Sequence, residues 1–201
     1  MLGLVALFTA FAGSAPAAET KTVVFFGDSI TAGYGVEPDE AYPALIQAKL
    51  DKAGQPWRVV NAGLSGETTA GGLRRVDWIL KQPVDIFVIE LGGNDGLRGI
   101  APDLSQANLE AIVKRVQTRY PHVKVILAGM QMPANMGTDY TQTFAAIYPA
   151  IAEKFKVTLI PFLLAGIGGI PRLNQADGIH PTPEGHQIVA ETVWRSLQPL
   201  L

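Results

Sequence analysis

Cysteine is absent from this sequence, and neither sign of charge is in large excess. Without cysteine the chain has no disulfide framework, no thiolate zinc or iron–sulfur site and no cysteine nucleophile. The 16 lysines and arginines are offset by 18 aspartates and glutamates. Nucleic-acid binding needs a concentrated basic surface, so this near balance argues against a nucleic-acid partner.

The apolar content, by contrast, is high. The 201 residues are 48% hydrophobic and 17% charged, which excludes intrinsic disorder. The 21 glycines and 14 prolines are too few for a collagen-like or low-complexity chain. This length predicts one domain that buries its own core, and nothing in the sequence requires more than a monomer.

The N-terminal residues differ from the rest of the chain. Residues 2–12 are apolar and uncharged, and Ala15-Pro16-Ala17 fits the small-x-small pattern of signal peptidase. The apolar run is shorter than the about 20 residues that span a bilayer. We therefore predict a signal peptide at residues 1–17, a mature domain at residues 18–201 without a membrane segment, and a periplasmic or secreted protein. Because no basic residue precedes Lys21, we expect translation to start upstream of Met1.

Five short apolar runs predict buried β-strands. Such runs, apolar on both faces, are typical of a parallel sheet that is covered on both sides. They lie at residues 23–26, 57–60, 86–89, 123–128 and 157–160.

Helical periodicity lies between and after these runs. Leu109, Ile112, Val113 and Val116 match the i, i+3, i+4, i+7 template. A second helical stripe contains Pro149, where we expect a kink or a break into two pieces. The alternation of strands and helices predicts a three-layer α/β/α domain with a parallel sheet.

In an open parallel sheet, ligands bind beyond the carboxyl ends of the strands. Ser29 follows the first predicted strand, where a strand turns into a helix and a hydroxyl is exposed. A serine nucleophile needs a base, and His180 is the histidine in a loop that follows a strand. Asp177 is three residues upstream and can orient its imidazole. Gly66 and Asn94, from two further loops, can supply donors to an oxyanion.

Each residue also has a simpler interpretation. A lone serine after Gly-Asp is usually a helix cap, Gly66 could be a turn residue, and Asn94 could bond its own loop. His180 and His186 are six residues apart without a clearly spaced third ligand, which argues against zinc. The G-x-S-x-G elbow of ordinary α/β-hydrolases, a Walker Gly-Lys pair and a G-x-G-x-x-G after the first strand are all missing. The argument for catalysis is that all the candidate residues fall at one predicted sheet edge.

Four segments, in order along the chain, resemble the four sequence blocks of the SGNH (GDSL) hydrolases. They are Gly27-Asp28-Ser29-Ile30, Gly66 after Ser65, Gly92-Gly93-Asn94-Asp95 and Asp177-Gly178-Ile179-His180. The run at residues 90–99, Pro133-Ala134-Asn135 and residues 145–149 are similar to the bacterial multifunctional thioesterase I/arylesterase/lysophospholipase subgroup. One departure is Glu67, where the family commonly has aspartate.

The resemblance implies a fold, an activity and a set of roles. The fold is a flavodoxin-like sheet of five parallel strands between helices, and the activity is hydrolysis of small acyl esters or thioesters without metal or cofactor. Ser29 is the implied nucleophile, His180 the base and Asp177 its partner. The backbone N–H groups of Ser29 and Gly66, with Asn94, form the implied oxyanion hole.

The substrate is less well determined by the sequence. Leu97, Met132, Pro133 and Met136 lie in loops beside the predicted site, and methionine suits variable apolar ligands. We predict that they contact the acyl group, although they could equally pack the loops. Two alternatives stay open: a carbohydrate deacetylase that uses the same site, and a non-catalytic flavodoxin-like binding module.

Overall fold

A computed structural model describes residues 20–201, so the predicted signal peptide lies outside the described residues. Five parallel strands form one sheet in the order β2-β1-β3-β4-β5. This is the strand order of the flavodoxin-like folds, as the family resemblance implied. The strands are β1 (Lys21–Gly27), β2 (Trp57–Gly63), β3 (Ile86–Glu90), β4 (Lys124–Ala128) and β5 (Thr158–Ile160).

The three inner strands are buried on both faces. Every residue of β3 is buried, and so is every residue of β1 and β4 after its first lysine. The edge strands β2 and β5 are only partly covered. Continuous apolar sequence therefore marks the centre of the sheet, because both faces of an inner parallel strand are packed under helices.

Seven α-helices accompany the sheet in the described residues. Helices α3, α5 and α6 pack side by side as one group, and α2 packs against α7 as another. The helices are α1 (Ser29–Ala32), α2 (Tyr42–Lys52), α3 (Thr69–Ile79), α4 (Gly93–Leu97), α5 (Pro102–Arg119), α6 (Thr138–Phe155) and α7 (Pro183–Leu197).

Helix α6 does not break at Pro149; it stays helical from Thr138 to Phe155. An interior proline costs about 3 kcal/mol because a backbone hydrogen bond is lost. Apolar side chains on both sides of the proline, including Phe144, Tyr148 and Ile151, are buried in the core. Burying one large apolar side chain contributes about 1.5–3 kcal/mol, so this packing outweighs the lost bond.

Two short helices, α1 and α4, begin where the sequence suggested loops. The side chain of Asp28 caps α1 by accepting the Ile30 N–H at 3.1 Å. Gly92 precedes α4 with a φ of +114°, and a side chain there would collide with the Tyr148 hydroxyl. Glycine at this position therefore lets α4 start directly after β3, close to the sheet edge.

His186 is fully buried where α7 packs against α2. Its Nδ1 accepts the Tyr42 N–H at 3.3 Å, and its Nε2 has no hydrogen-bond partner among residues 20–201. Burial, with a smaller effect of the charge on His180, lowers the pKa of His186 to about 4. The imidazole is therefore neutral in the folded protein at neutral pH.

We expect His186 to reduce stability in mild acid. Between its unfolded pKa of 6.5 and its folded pKa of about 4, the unfolded chain binds the proton and the folded chain does not. The free energy of unfolding should then fall by on the order of 3 kcal/mol as the pH drops through this interval. His186→Asn keeps an acceptor for the Tyr42 N–H but has no imidazole to protonate. Urea unfolding of this variant at pH 7 and at pH 4.5 should therefore lack the loss of stability that the wild type shows between these pH values.

His122 is an exposed histidine in a turn, so His122→Asn provides the matched control. It should retain the wild-type dependence on pH. The prediction is wrong if His186→Asn and wild type lose the same stability between the two pH values.

Candidate active site

The predicted site residues come together at the carboxyl edge of the sheet. Ser29 follows β1, Gly66 follows β2 and Asn94 follows β3, while Asp177 and His180 come from the loop before α7. Gly27 pairs with both Gly63 and Glu90 across the sheet, so β1, β2 and β3 end at one level.

Ser29, His180 and Asp177 form a hydrogen-bonded chain. The Ser29 Oγ lies 2.9 Å from His180 Nε2, and His180 Nδ1 lies 2.7 Å from Asp177 Oδ2. A hydroxyl, an imidazole and a carboxylate in this order are the arrangement of an activated serine nucleophile. Ser29 is the first residue of α1 and is 8% exposed.

Asp177 is held as a carboxylate by its own loop. Its Oδ1 accepts the backbone N–H groups of Ile179 at 2.8 Å and His180 at 3.0 Å. Partial burial raises the pKa of Asp177, but the hydrogen bonds from His180 and from these N–H groups outweigh burial and lower that pKa to about 2. The negative charge therefore persists over the whole range of pH in which a histidine base works.

Gln175 and Tyr34 lie against the histidine loop, and no sequence motif pointed to either residue. The Gln175 side-chain amide donates to the carbonyl of Tyr34 at 2.7 Å and to that of Pro181 at 3.0 Å. Its backbone N–H donates to the His180 carbonyl at 2.7 Å. The ring of Tyr34 lies against the imidazole, with 4.6 Å between centroids. One glutamine thus joins the serine segment to the histidine loop.

The three predicted oxyanion donors are neighbours. Within residues 20–201 the backbone N–H groups of Ser29 and Gly66 have no protein acceptor. The Asn94 amide donates to Asp28 Oδ2 at 3.1 Å and to the Glu67 carbonyl at 3.0 Å. Asn94 therefore contacts the residue before Ser29 and the residue after Gly66.

The Gly66 loop is fixed from two sides. Glu67 is paired with Arg75 of α3, whose Nε lies 2.8 Å and 2.7 Å from the two carboxylate oxygens. The same guanidinium donates to the carbonyl of Ala62 at 2.8 Å, and Arg98 donates to that of Gly66 at 3.1 Å. The backbone of Gly66 has a φ of +78°, which favours glycine. Glu67 stands where the family commonly has aspartate, and its carboxylate is the group that binds Arg75.

The four residues predicted to contact an acyl group differ in exposure. Leu97 and Pro133 have exposed side chains. Met132 is half-buried, packs against the core and lies over Gly96. Met136 is half-buried at the end of a one-turn 3₁₀ helix. Their contact with substrate stays a prediction.

Comparison with known proteins identifies the family. The model of the GDSL-like lipase/acylhydrolase family matches residues 25–188, which include the serine, glycine, asparagine, aspartate and histidine just described. The chain belongs to the GDSL-like lipase/acylhydrolase family. The resemblance inferred from the four sequence blocks is confirmed.

Three relatives align over most of their own length. Esterase TesA of Pseudomonas aeruginosa is 43% identical, with 92% of this chain and 91% of the relative covered. Thioesterase 1/protease 1/lysophospholipase L1 of Escherichia coli is 39% identical, with 92% and 87% covered. Arylesterase of Vibrio mimicus is 35% identical, with 98% of each chain covered. All three names describe enzymes that act on ester or thioester bonds, and the Escherichia coli relative is also named a protease.

A solved structure supports the fold. The crystal structure of TesA is 43% identical, covers 90% of this chain and 100% of its own, and superposes with a TM-score of 0.86. This agreement confirms the predicted α/β class. Among residues 20–201, no helix has both the length and the apolar character needed to cross a membrane.

Asn94→Ala should lower kcat by about 10²–10³-fold, the usual cost of losing one oxyanion donor. KM should change little, because the donor is needed in the transition state more than in the bound substrate. Steady-state ester hydrolysis, together with circular dichroism to verify folding, measures both quantities. Asn108→Ala removes another side-chain amide, which donates to Thr69 at 3.1 Å, and should keep kcat within a few-fold. Unaltered turnover in Asn94→Ala would remove Asn94 from the site.

Proposed function

We propose that this enzyme hydrolyses carboxylic esters and thioesters through an acyl-enzyme formed on Ser29. The observation that carries the proposal is the hydrogen-bonded chain from Ser29 Oγ through His180 to Asp177, at 2.9 Å and 2.7 Å. Family membership and the esterase and thioesterase names of the relatives support the same reaction.

The first half-reaction acylates the serine. The Ser29 oxygen attacks the carbonyl carbon while its proton moves to His180 Nε2. Asp177 accepts the Nδ1–H of the imidazole and stabilises the imidazolium that forms. The carbonyl oxygen becomes an oxyanion, to which the N–H groups of Ser29 and Gly66 donate. One N–H of Asn94 also donates to it and gives up its contact with the Glu67 carbonyl. When the intermediate collapses, the C–O or C–S bond breaks and the leaving alcohol or thiol takes the proton from His180.

The second half-reaction releases the acid. Water attacks the acyl carbon, and His180 accepts a proton from that water. The same donors bind the second oxyanion. Collapse breaks the bond to Ser29, whose oxygen recovers its proton from His180. The free enzyme and a carboxylic acid result, and the protons balance over the cycle.

The names of the relatives and the apolar side chains near the site edge support the substrate class. The relatives are named for aryl esters, thioesters and lysophospholipids, and each of these carries an activated or accessible acyl carbonyl. Exposed Leu97 and Pro133, with Met132 and Met136 beside them, support contact with an apolar acyl chain. The comparisons do not favour the deacetylase or the non-catalytic alternative.

Ser29→Ala should abolish hydrolysis, because it removes the hydroxyl that contacts the His180 base. The wild type and the variant are assayed on p-nitrophenyl esters from acetate to palmitate, with an acyl-CoA in parallel. The wild type alone should hydrolyse them, and kcat in the variant should fall by about 10³-fold or more. The chain-length profile separates an acyl hydrolase from a deacetylase.

Ser196→Ala is the control for this experiment. Ser196 lies near the end of α7 that points away from the site, so its removal should leave hydrolysis intact. Equal activity of the wild type and Ser29→Ala would show that Ser29 is not the nucleophile. Lack of hydrolysis by folded wild type would support a binding module instead.

We also propose that the enzyme is exported and works in the periplasm or outside the cell. The apolar residues 2–12 followed by Ala15-Pro16-Ala17 support this. The full chain, produced in a Gram-negative host with a C-terminal tag, should appear in the osmotic-shock fraction with Ala18 as its N-terminus. N-terminal sequencing measures this, and Ala17→Arg should block the cleavage. An intact N-terminus on cytosolic protein would contradict the proposal.

A further inference from the structure

Two acidic side chains are buried together beneath the oxyanion donors. Asp28 precedes Ser29 and is 2% exposed, and Glu90 ends β3 and is fully buried. The backbone N–H of Asp28 donates to Glu90 Oε2 at 3.2 Å, so the Glu90 carboxyl group lies directly against Asp28. The mechanism above uses neither carboxyl group, yet two buried acids in contact are costly unless they share a proton.

The hydrogen bonds around Asp28 are those of a carboxylate. Its Oδ1 accepts the Ile30 N–H at 3.1 Å, and its Oδ2 accepts the Asn94 amide at 3.1 Å. Each oxygen thus has an N–H donor. An ionised carboxylate accepts hydrogen bonds at both oxygens and donates none. The hydrogen bonds of Asp28 are therefore satisfied when Asp28 is ionised and the shared proton is on Glu90.

The surroundings of Glu90 differ between its two oxygens. Oε2 accepts the Thr31 hydroxyl at 2.7 Å and the Asp28 N–H at 3.2 Å. Oε1 is buried and has no donor among the described residues. A charged oxygen without a donor would be strongly destabilised in this position. An oxygen that carries a proton is itself a donor, and the neighbouring Asp28 is an acceptor.

We propose that Glu90 is a positioning residue that keeps a proton at neutral pH and donates it to Asp28, so that the Asp28 carboxylate holds the Asn94 amide in its donating orientation. A carboxylate accepts only, so it selects the amide rotamer whose N–H₂ group faces it and opposes the rotamer whose oxygen does. The second N–H contacts the Glu67 carbonyl in the loop of Gly66, and this is the N–H that turns to the oxyanion while Asp28 holds the first. This proposal rests on the proposed function of Asn94.

The charges around the pair agree with this protonation state. Burial, reinforced by the Asp28 charge, raises the pKa of Glu90 well above its ordinary value. Burial also raises the pKa of Asp28, to about 6, although hydrogen bonds from Ile30, Glu90 and Asn94 counteract the rise. At neutral pH the pair therefore carries one proton and one charge. The other titratable or charged groups near it are Tyr42 of α2, Arg75 of α3, Tyr148 of α6 and His180.

Substitution of Glu90 tests the role of the neutral acid. Glu90→Gln keeps a neutral donor of the same shape and should retain kcat within about 3-fold. Glu90→Ala removes the donor and should lower kcat by about 10²-fold with little change in KM, as expected when an oxyanion donor is misoriented. Equal loss in Glu90→Gln and Glu90→Ala, or no loss in Glu90→Ala, would overturn the proposal.

A double-mutant cycle separates positioning from general stability. If Glu90 acts through Asn94, Glu90→Ala should cost little further kcat in the Asn94→Ala background. Asp85 is the matched control, because its carboxylate accepts the Thr22 N–H at 2.7 Å near the opposite end of β1. Asp85→Ala should affect stability without a change in kcat. Full additivity of Glu90→Ala and Asn94→Ala would overturn the proposal.

Infrared spectroscopy tests the proton itself and does not depend on activity or on the alanine variant. The wild type at pH 7 should show the carbonyl stretch of a protonated, buried carboxylic acid, and Glu90→Gln should lack it. Absence of this band from the wild type would overturn the proposal. If instead the band is present but the wild type hydrolyses no ester, the proposed function fails while the buried acid stands.

Discussion

Strand β1 lies between β2 and β3, and its register against both neighbours determines where the catalytic loops begin. Gly27 pairs with Gly63 on one side and Glu90 on the other. Ser29, Gly66 and Asn94 follow these three positions by two, three and four residues. A slip of one residue would exchange the side chains that β1 packs against the two helical layers. The packing that sets the register of β1 therefore also sets the starting points of the site.

The strands and most of the site residues could be predicted from the sequence, because the signals that mark them are local. Apolar runs marked the five strands, and glycine and polar residues directly after them marked the site edge. Ser29, His180 and Asp177 could be placed together because parallel strands all end at one edge. Thr182 directly before Pro183 is also a local signal for the start of a helix, and its hydroxyl accepts the Gly185 N–H at the start of α7.

The contacts that hold the site in place were not predictable in this way. Arg75 and Gln175 are ordinary polar residues on a helix and in a loop, and each binds backbone carbonyls far away in sequence, at Gly27 and Tyr34. In the sequence Glu90 is simply the last residue of an apolar strand, and its contact with Asp28 exists only because β1 and β3 are neighbours in the sheet. Pro149 does not break α6 into two pieces, since the local cost of a helical proline is outweighed by packing that the sequence alone does not reveal.

The hydrogen bond between Ser29 and His180 joins residues that are 151 positions apart in the sequence. The nucleophile is in the first strand–helix turn of the domain, and its base comes just before the last helix. The residues between them include strands β2 to β5, and α7, which follows His180, contributes Val189 and Val193 to the same core as the sheet. A chain that is shortened at its C-terminal end therefore loses the base and part of the core together, so the nucleophile is activated only when the last segment of the domain is in place.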